Sequence, residues 1–594
     1  MNLRRILWIT AVCLLAGCGK ASEPETKQTC PVVLEEGEGF TADKNVCRAE
    51  RGTDAVFYLS MEEGYELLEA DDMSCEIRTE PDGTICLTLL NVRYPKTITL
   101  NVRKSDCIMT YHANGGEAID GKGEETVKIP VVKTHLRVNT SLGTDLFERE
   151  GHTLIGWNTS PDGSGIFTGL GSRVFPEEAP VLYAVWSPWT KEECFEWKKA
   201  GNYALITSYH GEDREISIPK EIRGFQVIGI EEDAFSGSRA KTVVLPETIQ
   251  RIENGAFRNS AVETLYLSDN LLYVNDSSFE NCENLKTLHI NAVKTPVYSG
   301  SYYDSFQDKY DYLLSVKDEK KLVLFSGSSA RFGYDSPWLE REFPEYRVVN
   351  MGVFAYTNAA PQFLLLEKVM KEGDILLHSP EFDARQRQFC TTSSLDDKFF
   401  CMMESNYDAV AELDLRQVEG VMNAFYTFLN TRQGMKGKSY RLSVKEFDED
   451  GNPVQEDSYN QQGDYILYRP NAQSVEPVYG LPVEYTKASF PKEIYFAGAN
   501  RMYQRFLEKG VRVYLTYAPR NMYALSEDST KEAREELHHY LEEQLVIPVI
   551  SDIEESLYPG TYLYGTDNHL STEGVKIRTE RIVRDLRKQM EKEQ

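Results

Sequence analysis

The chain has 594 residues, 41% hydrophobic and 11% aromatic, which is too long for one core and too apolar for wholesale disorder. Its formal net charge of -28 repels phosphate backbones and argues against a nucleic-acid partner, while suiting a soluble exported surface.

At the N-terminus, Arg4 and Arg5 precede a short apolar run, Ile6 to Leu15, too short to span a bilayer as a mature helix. Residues 1–18 read as a signal peptide. The run ends in Leu15-Ala16-Gly17-Cys18. Small residues followed directly by Cys resemble the lipobox of bacterial lipoproteins. The resemblance implies that Cys18 is lipidated, becomes the mature N-terminus and holds the chain to the membrane on its extracytoplasmic side. An ordinary secretory signal with an incidental Cys is the alternative. Of 11 cysteines, Cys13 leaves with the leader. Apart from Cys18 there remain Cys30, Cys47, Cys75, Cys86, Cys107, Cys194, Cys282, Cys390 and Cys401, an odd set with no CxxC pair to suggest zinc or thioredoxin chemistry. Disulfides are permitted outside the cytoplasm, and Cys47 with Cys75 or Cys86 is one option.

Residues 19–39 are polar and charged and read as a tether. Short β-rich runs over 40–105, such as Ala55 to Leu59 and Ile85 to Leu89, separated by turn signals such as Pro81-Asp82-Gly83, predict a small β domain. Over 106–188, Tyr111-His112-Ala113-Asn114-Gly115-Gly116, Gly151 to Trp157 and Leu182-Tyr183-Ala184-Val185-Trp186 resemble the Listeria–Bacteroides repeat, which implies a β-grasp-like module. Asn114-Gly115 and Asp162-Gly163 suit tight turns with positive φ.

Residues 195–295 contain an internal repeat. Phe235, Phe257 and Phe279 recur every 22 residues, each closing a pattern such as Ile252-Glu253-Asn254-Gly255-Ala256-Phe257 and each followed by a short strand. A period of that length means stacked units that bury their edges on one another. The pattern is similar to BspA-like leucine-rich repeats, whose faces take protein or glycan ligands; a rigid spacer is the alternative.

The Tyr-, Ser- and Asp-rich stretch Pro296 to Asp311 reads as a linker. Over 305–594 strands alternate with helices: strands at 322–325, 347–349, 374–377, 511–515 and 546–550, and helices at 337–343, 361–370, 502–508, 531–544 and 573–590. Alternation of this kind predicts a three-layer α/β domain on a parallel sheet. Residues 385–495, with a turn at Glu449 to Asn452, break the rhythm and read as an insertion or lid-like excursion.

Sites in open α/β sheets form at the carboxyl ends of the strands. The first strand runs into Ser326-Gly327-Ser328-Ser329-Ala330, and Thr566-Asp567-Asn568-His569 stands just before the last helix. A serine hydroxyl becomes a nucleophile when a base takes its proton, and a histidine base needs a group to fix its tautomer. Ser early, His late, on the first strand and the last loop, resembles the SGNH/GDSL superfamily. The resemblance puts Ser328 at the nucleophile, with Ser329 as the alternative. It puts His569 at the base and Asp567 at its orienting carboxylate. The alternatives are a helix cap for His569 and a turn residue for Asp567. The departure to Asp-x-His from the usual Asp-x-x-His also occurs in relatives that move acetyl groups onto exopolysaccharides.

Gly352 matches the second-block glycine, so the backbone amides of Ser328 and Gly352 are expected to hold the oxyanion, with Asn350 either a further donor or a turn residue. The third block ends His378-Ser379-Pro380-Glu381, without the usual Asn; Glu381 stands there to orient substrate or for structure. His378 reads as structural and His538-His539 as a solvated helix face. No metal or organic cofactor is called for. The expectation is a surface-anchored serine esterase or O-acyltransferase acting on acylated extracellular or cell-wall glycans. The alternative is an inactive surface binding protein that works through its repeats.

Overall fold

Alternating apolar residues fold the first unit. In the computed structural model, which describes residues 29–593 apart from 63–64, 73, 81–83, 105–106, 120–124, 132–135, 144, 293–295, 299–300, 302, 354–356, 384–392, 435–445, 448–452, 455–458, 473, 479–481 and 491, the chain divides into two compact units. The signal peptide expected at 1–18 with its Cys18, Cys390 and the turns expected at 81–83 and 449–452 lie outside the described residues.

The first unit is a small β domain. Strand Thr29–Leu34 pairs antiparallel with Val46–Glu50 and parallel with Lys96–Ile98. A second sheet joins Phe40–Ala42, Thr53–Met61, Ile85–Val92 and Cys75–Thr79. Val32, Leu34, Phe57, Leu59, Leu87, Leu89 and Ile98 fill its core. This corrects the expected tether, since its last part is a core strand: Val32 and Leu34 alternate inward with the period of two that a strand requires. It also corrects the disulfide option, since Cys47, Cys75 and Cys86 are free thiols. Cys75 lies opposite Leu89 while Cys86 lies opposite Arg78, out of register with each other, and Cys47 is in the other sheet.

The second unit begins with a β module in which Tyr111 meets Trp157 edge-on at 4.9 Å. Its Asn114 and Gly115 have φ of 48° and 88°, as a tight turn demands. Next comes the repeat region, a parallel stack of β1 (Glu215–Ser217), β2 (Thr242–Val244), β3 (Thr264–Ser268) and β4 (Thr287–Asn291). Behind the strands the recurring phenylalanines form a ladder, with ring centroids 4.9 Å apart from Phe235 to Phe257 and 5.1 Å from Phe257 to Phe279.

No linker separates the repeats from the α/β domain. Ser305–Ser315 is a helix, α1, in which Phe306, Gln307, Tyr310 and Asp311 are buried. After it β5 (Lys321–Phe325), β6 (Arg347–Asn350), β7 (Ile375–His378) and β8 (Arg512–Leu515) form a parallel sheet in the order β6-β5-β7-β8. The strand expected at 546–550 touches it through a single parallel bridge, Leu515 to Val549. Leu322 and Leu324 face one core with helices α3 (Ser336–Glu342) and α10 (Thr572–Lys592). Val323 and Phe325 face the other, with α1, α4 (Ala359–Val369), α8 (Ala497–Glu508) and α9 (Lys531–Gln544). Each strand is apolar on both sides because helices cover both faces.

The excursion is not a free lid. Of helices α5 (Asp397–Met403), α6 (Asp408–Ala411) and α7 (Val421–Gly434), the first packs on α1 and α7, while α6 and α7 dock on the repeats. Asp276 accepts from Met422 N at 2.9 Å and from Asn423 Nδ2 at 2.7 Å, and Arg432 pairs with Asp269 at 2.5 Å. The β module closes the same surface. Its Phe167 ring stands edge-on to His289 at 5.5 Å, and its Gly169 N donates to Asp408 at 3.0 Å. Its buried Arg173 pairs with Asp304, Asp308 and Asp311 at 3.0, 2.8 and 3.1 Å. Among the described residues no helix is long and apolar enough to cross a membrane.

Candidate active site

The chain leaves β5 at Phe325 and turns at Ser326-Gly327 into a single helical turn, α2 (Ser328–Arg331). Two neighbouring hydroxyls diverge there. Ser329 is fully buried, its Oγ 3.0 Å from Ser326 Oγ, whereas Ser328 is part-exposed and its Oγ lies 2.8 Å from His569 Nε2. His569 comes from the loop before α10. Its amide donates to Thr566 Oγ1 at 2.9 Å, its carbonyl accepts from Tyr564 N, and its ring stacks on Phe332 at 4.2 Å. The cap of α10 is Ser571, whose Oγ accepts from Gly574 N, so His569 is not the capping residue.

Asp567 does not reach the imidazole. Its carboxylate accepts from Val478 N at 2.9 Å and Asn521 Nδ2 at 3.0 Å, and its carbonyl accepts from Asn521 N at 2.7 Å. The buried carboxylate pins the loop from below, and the charges that bear on His569 are all positive. With one residue between them in this tight loop, the two side chains point apart.

The second-block residues are also committed elsewhere. Gly352 N donates to Asn350 Oδ1 at 3.0 Å, and Asn350 Nδ2 donates to Ala330 O at 2.9 Å and Asp464 Oδ1 at 2.8 Å. Asn350 is thus a latch beneath the Ser328 turn, and neither group is aimed at substrate as an oxyanion donor. A Cβ at Gly352 would lie 2.6 Å from Ala330 Cβ and Arg331 N, so the glycine is there for close approach. Among the described residues, the Ser328 amide alone of the three expected donors has no hydrogen-bond acceptor.

Glu381 ties the site together. Its Oε1 accepts from Ser329 N at 2.8 Å and its Oε2 from Asn568 Nδ2 at 2.6 Å, so one buried carboxylate spans the serine turn and the histidine loop. Burial pushes its carboxyl up from the ordinary range. His378 is inside, its Nδ1 2.7 Å from Tyr503 Oη, and burial lowers it to about 3. His538 Nδ1 lies 2.7 Å from Tyr517 Oη, so that histidine is part-buried against a tyrosine and not fully solvated. Among the described residues no cluster of His, Cys, Asp or Glu could hold a metal ion.

The field around His569 is positive. Burial lowers its basicity most, and Arg331, Arg469 and Arg520 lower it further, to about 3. Arg331 and Arg469 sit against Phe332, with guanidinium carbons 4.8 and 5.5 Å from the ring centre. Arg469 comes from the excursion and donates to the carbonyls of Leu570 and Tyr465. No spacing in the sequence brings 331, 469 and 520 together, nor Asp464 and Asn521; only the fold does.

Residues 212–311 match the BspA type leucine rich repeat region in six copies. A repeat region of this kind is consistent with a binding or adhesion role and with a protein or glycan ligand. Among solved structures the chain is similar to the leucine-rich repeat protein of T. pallidum, TpLRR, at 14% identity over 23% of this chain and 75% of that one. The TM-score is 0.13, too low to carry an argument about fold. No curated protein matches the chain.

Proposed function

We propose that this chain is a surface-anchored serine esterase or O-acyltransferase of SGNH type, acting on acylated extracellular or cell-wall glycans. The observation that supports it is the 2.8 Å approach of Ser328 Oγ to His569 Nε2 at the carboxyl end of a parallel sheet. Ser328 Oγ attacks the ester carbonyl and its proton passes to His569 Nε2. The carbonyl oxygen becomes an oxyanion beside the Ser328 amide and the nearby guanidiniums. The bond to the alcohol then breaks, and the alcohol leaves with the proton from His569. Water, or an acceptor hydroxyl, reverses the sequence and frees Ser328. The steps need neither a metal nor an organic cofactor.

The glycan substrate and the lipid anchor at Cys18 follow from the family resemblance and the leader. The test offers the full chain a chromogenic acetyl ester and a fluorophosphonate probe. Turnover and labelling, both lost in Ser328→Ala, are expected; neither occurring in the wild type would overturn the reading. A second reading, adhesion through the repeats, is favoured by the match over 212–311. Glycan or protein binding that survives Ser328→Ala would support it alongside or in place of catalysis.

A further inference from the structure

The buried arginines of this molecule are of two kinds. Arg173 meets three aspartates, and Arg432 meets Asp269 and Glu404. Arg520 differs. It is 5% exposed, and its Nε and Nη2 make no hydrogen bond. The carboxylates around it have other work. Glu381, whose charge acts on Arg520, gives both oxygens to Ser329 N and Asn568 Nδ2. Asp567 bonds Val478 N and Asn521 Nδ2. Asp383 adds a weaker pull on Arg520, and Tyr485 contacts it. Buried donors left unmade are costly and call for an explanation, of which a bound anion is one.

We propose that the ester taken by this site carries its own anion, a carboxylate or phosphate near the scissile bond, seated on the unpartnered face of Arg520 with Arg331 and Arg469 reinforcing it from beside Phe332. This rests on the esterase reading above. An anion there offsets the three cations that bear on His569, and so supplies the counter-charge that Asp567 does not. Recognition and base strength are then coupled: the right substrate makes its own catalyst stronger.

The experiment measures kcat/KM of the full chain on matched pairs. 4-Nitrophenyl acetate against 4-nitrophenyl hemisuccinate places the anion on the acyl side. Acetylated methyl glucoside against its glucuronate and 6-phosphate counterparts places a carboxylate or a phosphate on the alcohol side. One acidic member is expected to exceed its neutral partner by about tenfold or more, and Arg520→Gln to bring that ratio towards one. Equal rates within every pair overturn the proposal while leaving the esterase intact. So does an Arg520→Gln variant that loses neutral and acidic esters alike, which would make Arg520 an oxyanion donor. If no ester turns over and no probe labels Ser328, the esterase reading falls. Melting shifts with glucuronate, glucose 6-phosphate and glucose then decide anion binding: stabilisation by an anion that Arg520→Gln abolishes supports it, and no shift overturns it.

Discussion

Glu381 Oε2 accepts from Asn568 Nδ2 at 2.6 Å while Glu381 Oε1 accepts from Ser329 N at 2.8 Å, so a residue at the end of β7 sets the distance between the serine turn and the histidine loop. Glu381→Gln keeps the shape but turns an NH2 towards a donor. A misplacement of about 1 Å at a reacting pair costs about a hundredfold. The expected outcome is a fall in kcat of about 10- to 100-fold with KM little changed. A variant with wild-type kcat would show that the bridge does not position the pair.

Gly352→Ala should act from beneath. The added methyl meets Ala330 Cβ and Arg331 N at 2.6 Å, and backbone cannot yield as a flexible side chain can. Overpacking of this kind costs about 1–3 kcal/mol. The chain should melt earlier, and ester turnover should fall by more than the loss of folded protein explains, because the displaced element carries Ser328.

The pH profile depends on the state of His569. Its basicity is lowered to about 3, against about 6.5 for a free imidazole. A depressed folded value keeps the neutral, proton-accepting form present as pH falls through 6.5. The acid limb of kcat/KM should therefore lie well below pH 6.5, with little change between pH 7 and 5. A limb centred at 6.5 or above would show that the arginines do not govern the ring.

Arg173 holds the β module to α1. Replacing it with Ala takes this cation from the buried Asp304 and leaves the buried Asp311 with Arg137. Breaking a buried pair by removing one partner costs about 3–5 kcal/mol. Arg173→Ala should lower the melting temperature markedly in calorimetry. By the same logic residues 300–594 expressed alone should be unstable, since α6 and α7 would lose the repeats they pack on; a soluble, cooperatively folding fragment would contradict this.

Periodicity carries much of this molecule. The 22-residue spacing of Phe235, Phe257 and Phe279 announces a stack because identical rings at identical depth can only face one another. The runs at 322–325 and 374–377 announce buried parallel strands because both faces must be apolar. The stretch around α1 reads as a linker because its Tyr, Ser and Asp residues look solvated in sequence, whereas Arg173 and the excursion bury them. Asp567 looks like the partner of His569 for a similar reason: adjacency in the chain is visible, and the direction of a side chain is not.

By itself the sequence determined what local pattern can encode: a short apolar run near the N-terminus, a repeat period, alternating strands and helices, and two loops that carry Ser328 and His569. The tertiary structure alone decided which polar groups meet. Burial made Glu381 a bridge, closed Asn350 and Gly352 onto each other, and gathered Arg331, Arg469 and Arg520 from three separate elements around one imidazole. Such meetings depend on long-range packing, and the energy of a buried charge depends on every neighbour that packing brings to it.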